Sequence, residues 1–183
     1  KKKILKKILL KLFDRLFCIM NCDIFLLVVD MKYQNVQFKK RFGQNFLKRD
    51  SIVKRIADVC SITKDDLVVE VGPGGAILTK ELAMRAGRVL AYEVDKDLKE
   101  ELFERLKNFS NVTILFQDFL ESDIVGDIAM FKYHSLYFVS NVPYYITTPI
   151  MMRLIATHLP FQKICMMVQK EVGTRFTAHP GSR

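Results

Sequence analysis

The segment Asn141-Val142-Pro143-Tyr144 brings together residue types that can handle an aromatic amine. An exocyclic amine on a base is a weak nucleophile because its lone pair is delocalised into the ring, so a catalyst must hold the nitrogen pyramidal and aim it at an electrophilic carbon. The side-chain oxygen of Asn141 and a backbone carbonyl beside Pro143 are two acceptors able to take the two amine hydrogens. Tyr144 offers a flat face on which an extruded base can stack. A Pro-Tyr pair alone reads equally well as a turn with a packing ring, so the weight falls on what precedes it.

Upstream, Glu70-Val71-Gly72-Pro73-Gly74-Gly75-Ala76 places glycines after an apolar run of strand length. Glycines there let the backbone approach a ligand and adopt torsions that a Cβ forbids. The dinucleotide pattern G-x-G-x-x-G fails because Ile77 stands at its last glycine, which disfavours hydride transfer. Glu93 follows about 20 residues later, where a carboxylate can accept both hydroxyls of a ribose. Asp118 comes after the next apolar run and suits an adenine amino group. The bland alternative is a pair of solvated strand-end acids. Asp95 and Asp97 read as a helix cap and a first-turn acid. No Lys follows the glycines as phosphate binding in a P-loop demands, so the pocket fits S-adenosylmethionine better than a nucleotide.

These residues need a scaffold of strand ends, and the hydropathy pattern supplies one. Strands are predicted at 67–71, 89–93, 112–116, 136–140 and 164–168, and helices at 52–59, 77–86, 96–109 and 150–158. Thr148 and Pro149 read as the start of the last helix. The alternation implies an open, mostly parallel α/β sheet with ligands at the carboxyl ends of its strands.

Net charge is +9, with 29 Lys+Arg against 20 Asp+Glu, and it is not evenly spread. Residues 1–49 carry 13 basic and three acidic residues, whereas 50–183 carry 16 and 17. In residues 1–30 the positions Leu5, Ile8, Leu9, Leu12, Phe13 and Leu16 recur at helical spacing with basic residues between them. This basic amphipathic extension reads as a membrane-surface or targeting element, as a helix packed on the body, or as sequence upstream of a start at Met31. The last reading, or a dispensable extension, is preferred, since every recognisable motif follows Met31, and without Met at position 1 the chain reads as a fragment. Residues 31–49 form a basic arm, and 50–183 a catalytic domain. The apolar run Ile24–Val29 falls far short of the roughly 18 residues a spanning helix needs, so no membrane association is expected for 31–183. Cys18, Cys22, Cys60 and Cys165 form no C-x-x-C pair, which argues against a zinc site or disulfide framework and for a reducing compartment.

Taken in order, Lys40-Arg41-Phe42-Gly43-Gln44-Asn45-Phe46-Leu47, Glu70 to Gly74, Glu93-Val94-Asp95, Asp118, Asn141 to Tyr144, Val168 to Val172 and Pro180-Gly181-Ser182-Arg183 resemble the ribosomal RNA adenine N6,N6-dimethyltransferase family from about residue 39 to 183. The resemblance implies a Rossmann-like class I methyltransferase that uses S-adenosylmethionine. It implies that Asn45, Leu47, Gly72, Glu93, Asp118 and Asn141 line the cofactor site, and that Asn141, Pro143 and Tyr144 hold the target adenine. The implied reaction transfers two methyl groups to N6 of each of two adjacent adenosines near the 3′ end of small-subunit ribosomal RNA. It calls for in-line displacement with no metal.

Lys39, Lys40 and Arg41 are the expected first phosphate contacts, the immature small ribosomal subunit the expected partner, and a cytoplasmic monomer the expected state, organellar if residues 1–30 target it. The family continues beyond Pro180-Gly181-Ser182-Arg183 with further strands, another base-stacking aromatic and a small helical RNA-gripping domain. A truncated, poorly active polypeptide is therefore expected, with its last strand left as an exposed edge. Ala76 stands where the family's turn often carries another glycine, and Val142 replaces a usual Leu or Ile. The competing readings are a large-subunit, resistance-type methyltransferase, a DNA adenine methyltransferase, and a non-catalytic organellar transcription factor. The block from Val168 to Arg183 favours the small-subunit enzyme. Intact Glu93 and Asn141 to Tyr144 favour catalysis.

Overall fold

A computed structural model describes residues 23–29 and 50–169. The described elements are β1 (Asp23–Val29), α1 (Asp50–Cys60), β2 (Leu67–Val71), α2 (Ile77–Arg85), β3 (Arg88–Tyr92), a 3-10 turn (Lys96–Leu98) running into α3 (Lys99–Leu106), β4 (Val112–Leu115), α4 (Ile124–Ala129), β5 (Leu136–Ser140), α5 (Tyr144–Thr157) and β6 (Phe161–Gln169). The six strands form one sheet in the order β1-β6-β5-β2-β3-β4, every pairing parallel.

Parallel strands covered on both faces are apolar along most of their length, and β2 and β5 are buried throughout, with Glu70 and Ser140 as their buried polar positions. Alternate residues part to opposite layers. Val68, Val89, Tyr137 and Val139 pack with Val53, Ile56 and Cys60 of α1 and Leu78 and Leu82 of α2. Leu67, Val69, Leu90 and Phe138 pack with Ile124 and Ile128 of α4 and Ile150, Met151 and Leu154 of α5. A third cluster joins Leu102 and Leu106 of α3 to Ala76. Helix α2 is tied to its surroundings at its C-terminal end, where Lys64 Nζ and Asn111 Nδ2 both donate to the carbonyls of Ala83 and Ala86 at 2.9–3.2 Å.

Three expectations are corrected. Strand β6 is not an edge: β1 pairs with it in parallel from Asp23↔Lys163 to Val29↔Gln169. The run from Ile24 to Val29 belongs to the N-terminal extension by sequence, but a short β-branched and leucine-rich stretch can satisfy its backbone on any open strand. Helix α5 starts at Tyr144, six residues before the predicted start, with Pro143 at the N-cap and Pro149 inside. Thr148 is therefore not the cap. The aromatic and β-branched residues of that first turn have weak helical preference, and the burial of Ile150, Met151 and Leu154 outweighs it. Helix α4, six residues long and capped by Asp123 Oδ1 on Gly126 N at 3.1 Å, is an addition to the predicted elements.

From β2 the chain proceeds to β3 and β4 on one side, then returns to β5 and β6 on the other. The carboxyl ends of β2 and β5 therefore flank the point where the strand order reverses, where open α/β sheets leave a crevice.

Candidate functional site

The backbone pairing of β2 with β5 runs from Leu67↔Leu136 to Val69↔Phe138 and then stops. Ser140, fully buried, carries the link further: its hydroxyl donates to Val71 O at 2.6 Å and accepts from Val71 N at 3.3 Å. The next residue on each strand begins a functional segment, Gly72 on one and Asn141 on the other. One buried hydroxyl thus holds the two segments side by side.

Gly72 and Gly74 both have positive φ, 71° and 51°, the left-handed region in which a Cβ is strained. Among the described residues, and apart from its chain neighbours, no atom lies within 4 Å of where a Gly72 Cβ would sit, so torsion is what requires the glycine there. Ala76 also has positive φ, 61°, and opens α2. Its methyl is buried against Leu102 and Leu106, which offsets part of the torsional cost.

Glu93, 3% exposed, braces this turn. Its Oε2 accepts from Gly74 N at 3.1 Å and its Oε1 from Asp95 N at 2.9 Å. Burial raises the pKa of Glu93 above the usual carboxylate value, and these amide donors oppose the rise. Each oxygen keeps a lone pair that a ligand hydroxyl can use. As read from sequence, Asp95 caps the following turn, accepting from Asp97 N at 3.0 Å. Asp118 is exposed at the mouth of the loop after β4, where Oδ1 accepts from Leu120 N at 2.8 Å.

These segments enclose a cavity of about 300 Å³. Gly72, Glu93, Asp118, Asn141 and Pro143 of the sequence-derived set all line it. Asn45, Leu47, Lys39, Lys40 and Arg41 lie outside the described residues, as does the side chain of Tyr144. The structure adds Tyr145, 67% exposed, at the cavity wall beside Ile146 and Ile150. It also adds Val94, Phe119 and Leu120 as apolar walls, and Glu70. Val94 had a visible signal, being a large apolar residue directly after a strand-end acid. Glu70 opens the glycine-turn block quoted above, but its place at the cavity had no signal, because a strand residue two positions before a glycine turn reads as core or solvent with equal ease.

Glu70 is 1% exposed. Burial pushes its pKa up to about 8, helped by nearby Glu93, so the carboxyl is largely protonated at neutral pH. The neighbouring Thr79 hydroxyl opposes the shift without completing a hydrogen bond of good geometry, and Glu70 Oε2 has no partner among the described residues.

Among the described residues, the cavity lining contains three carboxyl groups, Glu70, Glu93 and Asp118, and no Lys, Arg or His. Such a lining repels phosphate and accepts a nucleoside attached to a cationic group. S-adenosylmethionine has that chemistry, a ribose and adenine carrying a sulfonium, so the residues present fit it.

A parallel sheet with this glycine turn and these strand-end acids is the Rossmann-like fold of class I methyltransferases. Residues 35–183 match the family model "Ribosomal RNA adenine dimethylase", and the chain belongs to that family. It is 45% identical to ribosomal RNA small subunit methyltransferase A of Latilactobacillus sakei, over 84% of this chain and 52% of the relative. The match to the protein of that name from Streptococcus gordonii is also 45%, over 80% and 51%. The chain thus spans about half the length of the curated relatives it matches. Among solved structures, the 23S rRNA methyltransferase ErmE superposes with a TM-score of 0.60 at 31% identity, covering 71% of this chain and 50% of that one. A dimethyladenosine transferase from Plasmodium falciparum superposes with a TM-score of 0.62 at 27% identity, covering 75% and 48%.

Proposed function

We propose that this chain carries the cofactor-binding and adenine-gripping parts of an enzyme that dimethylates N6 of adenosines in small-subunit ribosomal RNA. The observation that carries the reading is convergence: the Gly72 turn, Glu93, Asp118 and Asn141-Val142-Pro143 come from four strand ends and meet at one cavity. The curated relatives bear a small-subunit name, which favours that substrate over large-subunit RNA.

S-adenosylmethionine, when bound, supplies a methyl group on a sulfonium. Glu93 takes the ribose hydroxyls, and Asp118 takes the adenine amino group, each through lone pairs left over from its backbone contacts. Asn141 and the backbone at Pro143 accept the hydrogens of the substrate amine. This holds the nitrogen lone pair out of conjugation and pointed into the cavity. Tyr144 stacks on the extruded adenine. The apolar walls Val94, Phe119 and Ile146 would limit the access of water to the substrate amine. Asn45 and Leu47 complete the cofactor site, and the basic arm 31–49 with Lys39, Lys40 and Arg41 meets ribosomal RNA phosphates. The protein acts as a monomer on immature small subunits.

The test is methyl transfer from labelled S-adenosylmethionine, by a polypeptide carrying this chain, to immature small subunits, large subunits and naked DNA. Label at adenine N6 of small-subunit RNA is expected, and Asn141→Ala should lower the rate by about 100-fold or more. Labelling of DNA or large subunits alone, or full activity in Asn141→Ala, overturns the reading.

A further inference from the structure

Asp127 lies on α4, outside the cavity lining, yet it is joined to both loops that carry the nucleoside-reading acids. Its Oδ2 accepts from Tyr92 Oη at 2.9 Å and from Gln117 Nε2 at 3.1 Å. Tyr92 is the last residue of β3 and immediately precedes Glu93. Gln117 follows β4 and immediately precedes Asp118. One carboxylate oxygen therefore binds the residue before each acid.

The two acids must match one rigid ligand, a ribose joined to an adenine, so their separation matters more than the placement of either alone. They also repel each other when both are ionised. The backbone ties β3 to β4 up to Glu93 N on Leu115 O at 3.0 Å, and no strand pairing extends past Leu115. Beyond that point Asp127 takes over. The Tyr92 ring reinforces the tie: it is 1% exposed and meets Phe119, the residue after Asp118, edge-on at 5.1 Å and 78°. Phe119 in turn packs on Phe138 at 5.8 Å.

We propose that Asp127 is a positioning residue for cofactor recognition, fixing the distance between Glu93 and Asp118 through Tyr92 and Gln117. Both donors converge on one oxygen, so neither loop can shift without disturbing the other. Burial and the adjacent Asp127 keep the Tyr92 phenol protonated well beyond its ordinary range, so the hydroxyl remains a donor. This role rests on the proposed cofactor, because it has no meaning for a pocket that takes no nucleoside.

Calorimetric titration of the protein with S-adenosylmethionine and with 5′-methylthioadenosine, which keeps the nucleoside but lacks the amino-acid end, tests it. Asp127→Ala is expected to weaken both ligands by the same factor, about tenfold. Asp127→Asn should restore most of the affinity, since an amide oxygen can accept both donors. Gln117 is exposed, so Gln117→Ala keeps the fold even where Asp127→Ala does not, and it should lose part of the affinity for both ligands. A purely structural role would lower the melting temperature without moving either dissociation constant. That result in Asp127→Ala, unchanged affinity in Gln117→Ala, or an Asp127→Asn variant as weak as Asp127→Ala overturns the proposal. Binding by the unaltered protein with these variants unaffected sinks the positioning role alone. Absence of binding by the unaltered protein overturns the cofactor reading and the positioning role together.

Discussion

Glu70 and Ser140 sit one strand apart under the cavity and make opposite contributions. Glu70 binds its proton more tightly folded than unfolded, with a pKa of about 8 against an ordinary 4.5. The native state therefore holds more protons between those values, and stability falls as pH rises from about 4.5 to about 8, then levels off. Glu70→Gln should flatten that slope and add on the order of 2 kcal/mol at pH 7, read by urea unfolding across the same range. Ser140 stabilises through both bonds to Val71. Ser140→Ala leaves buried backbone groups of Val71 short of partners and should cost about 1–3 kcal/mol. It should also weaken substrate handling, because the Gly72 and Asn141 segments lose their shared anchor. A variant as stable as the parent would contradict that account. Glu70 stands out as a charge within an apolar run and Ser140 directly precedes Asn141, but nothing in the linear pattern gives the burial of the one or the bonds of the other.

At the scale of elements, the junction of β2 with α2 carries torsional strain at Ala76. Ala76 takes a left-handed conformation with its methyl buried against α3. A β-branched side chain there meets both obstacles, so Ala76→Val should destabilise by about 2 kcal/mol or more, measured as a fall in the denaturation midpoint. Ala76→Gly relieves the torsion but loses the buried methyl and loosens the unfolded chain, and the two effects should cancel to within about 1 kcal/mol. The far end of α2 behaves more simply. Asn111→Ala removes two hydrogen bonds to its terminal carbonyls and should cost about 1 kcal/mol, since Lys64 still reaches the same oxygens. Strands β2 to β6 were legible because continuous apolar runs between turn residues have few other uses. The first turn of α5 and the whole of α4 were not, because their helical form depends on what they pack against.

Over the whole molecule, charge is unevenly spread along the chain. The described cavity lining carries carboxyl groups, and positive charge is concentrated in the segment between β1 and α1, with six basic and no acidic residues in 32–49. If that arm meets RNA phosphates, binding should weaken steeply with salt. Replacing Lys39, Lys40 and Arg41 with Gln should reduce the slope of log affinity against log salt by about 2–3. Affinity for S-adenosylmethionine should stay unchanged, because the cofactor is recognised by the cavity and not by net charge. A slope that does not change would place the phosphate contacts elsewhere.

The sequence by itself determined the class of fold and most of the cavity's chemistry. Glycines, strand-end acids and Asn141-Val142-Pro143 are constrained by local geometry and by the ligand, and such constraints show in residue type and spacing. Only the tertiary structure decided that β6 is covered by β1, that α5 begins at Tyr144, that Glu70 is buried at the cavity and that Asp127 joins the Glu93 and Asp118 loops. Each of these depends on a pairing between residues far apart in the chain. A backbone hydrogen bond, a desolvated carboxyl or a shared acceptor oxygen leaves little trace in sequence until folding brings both partners together.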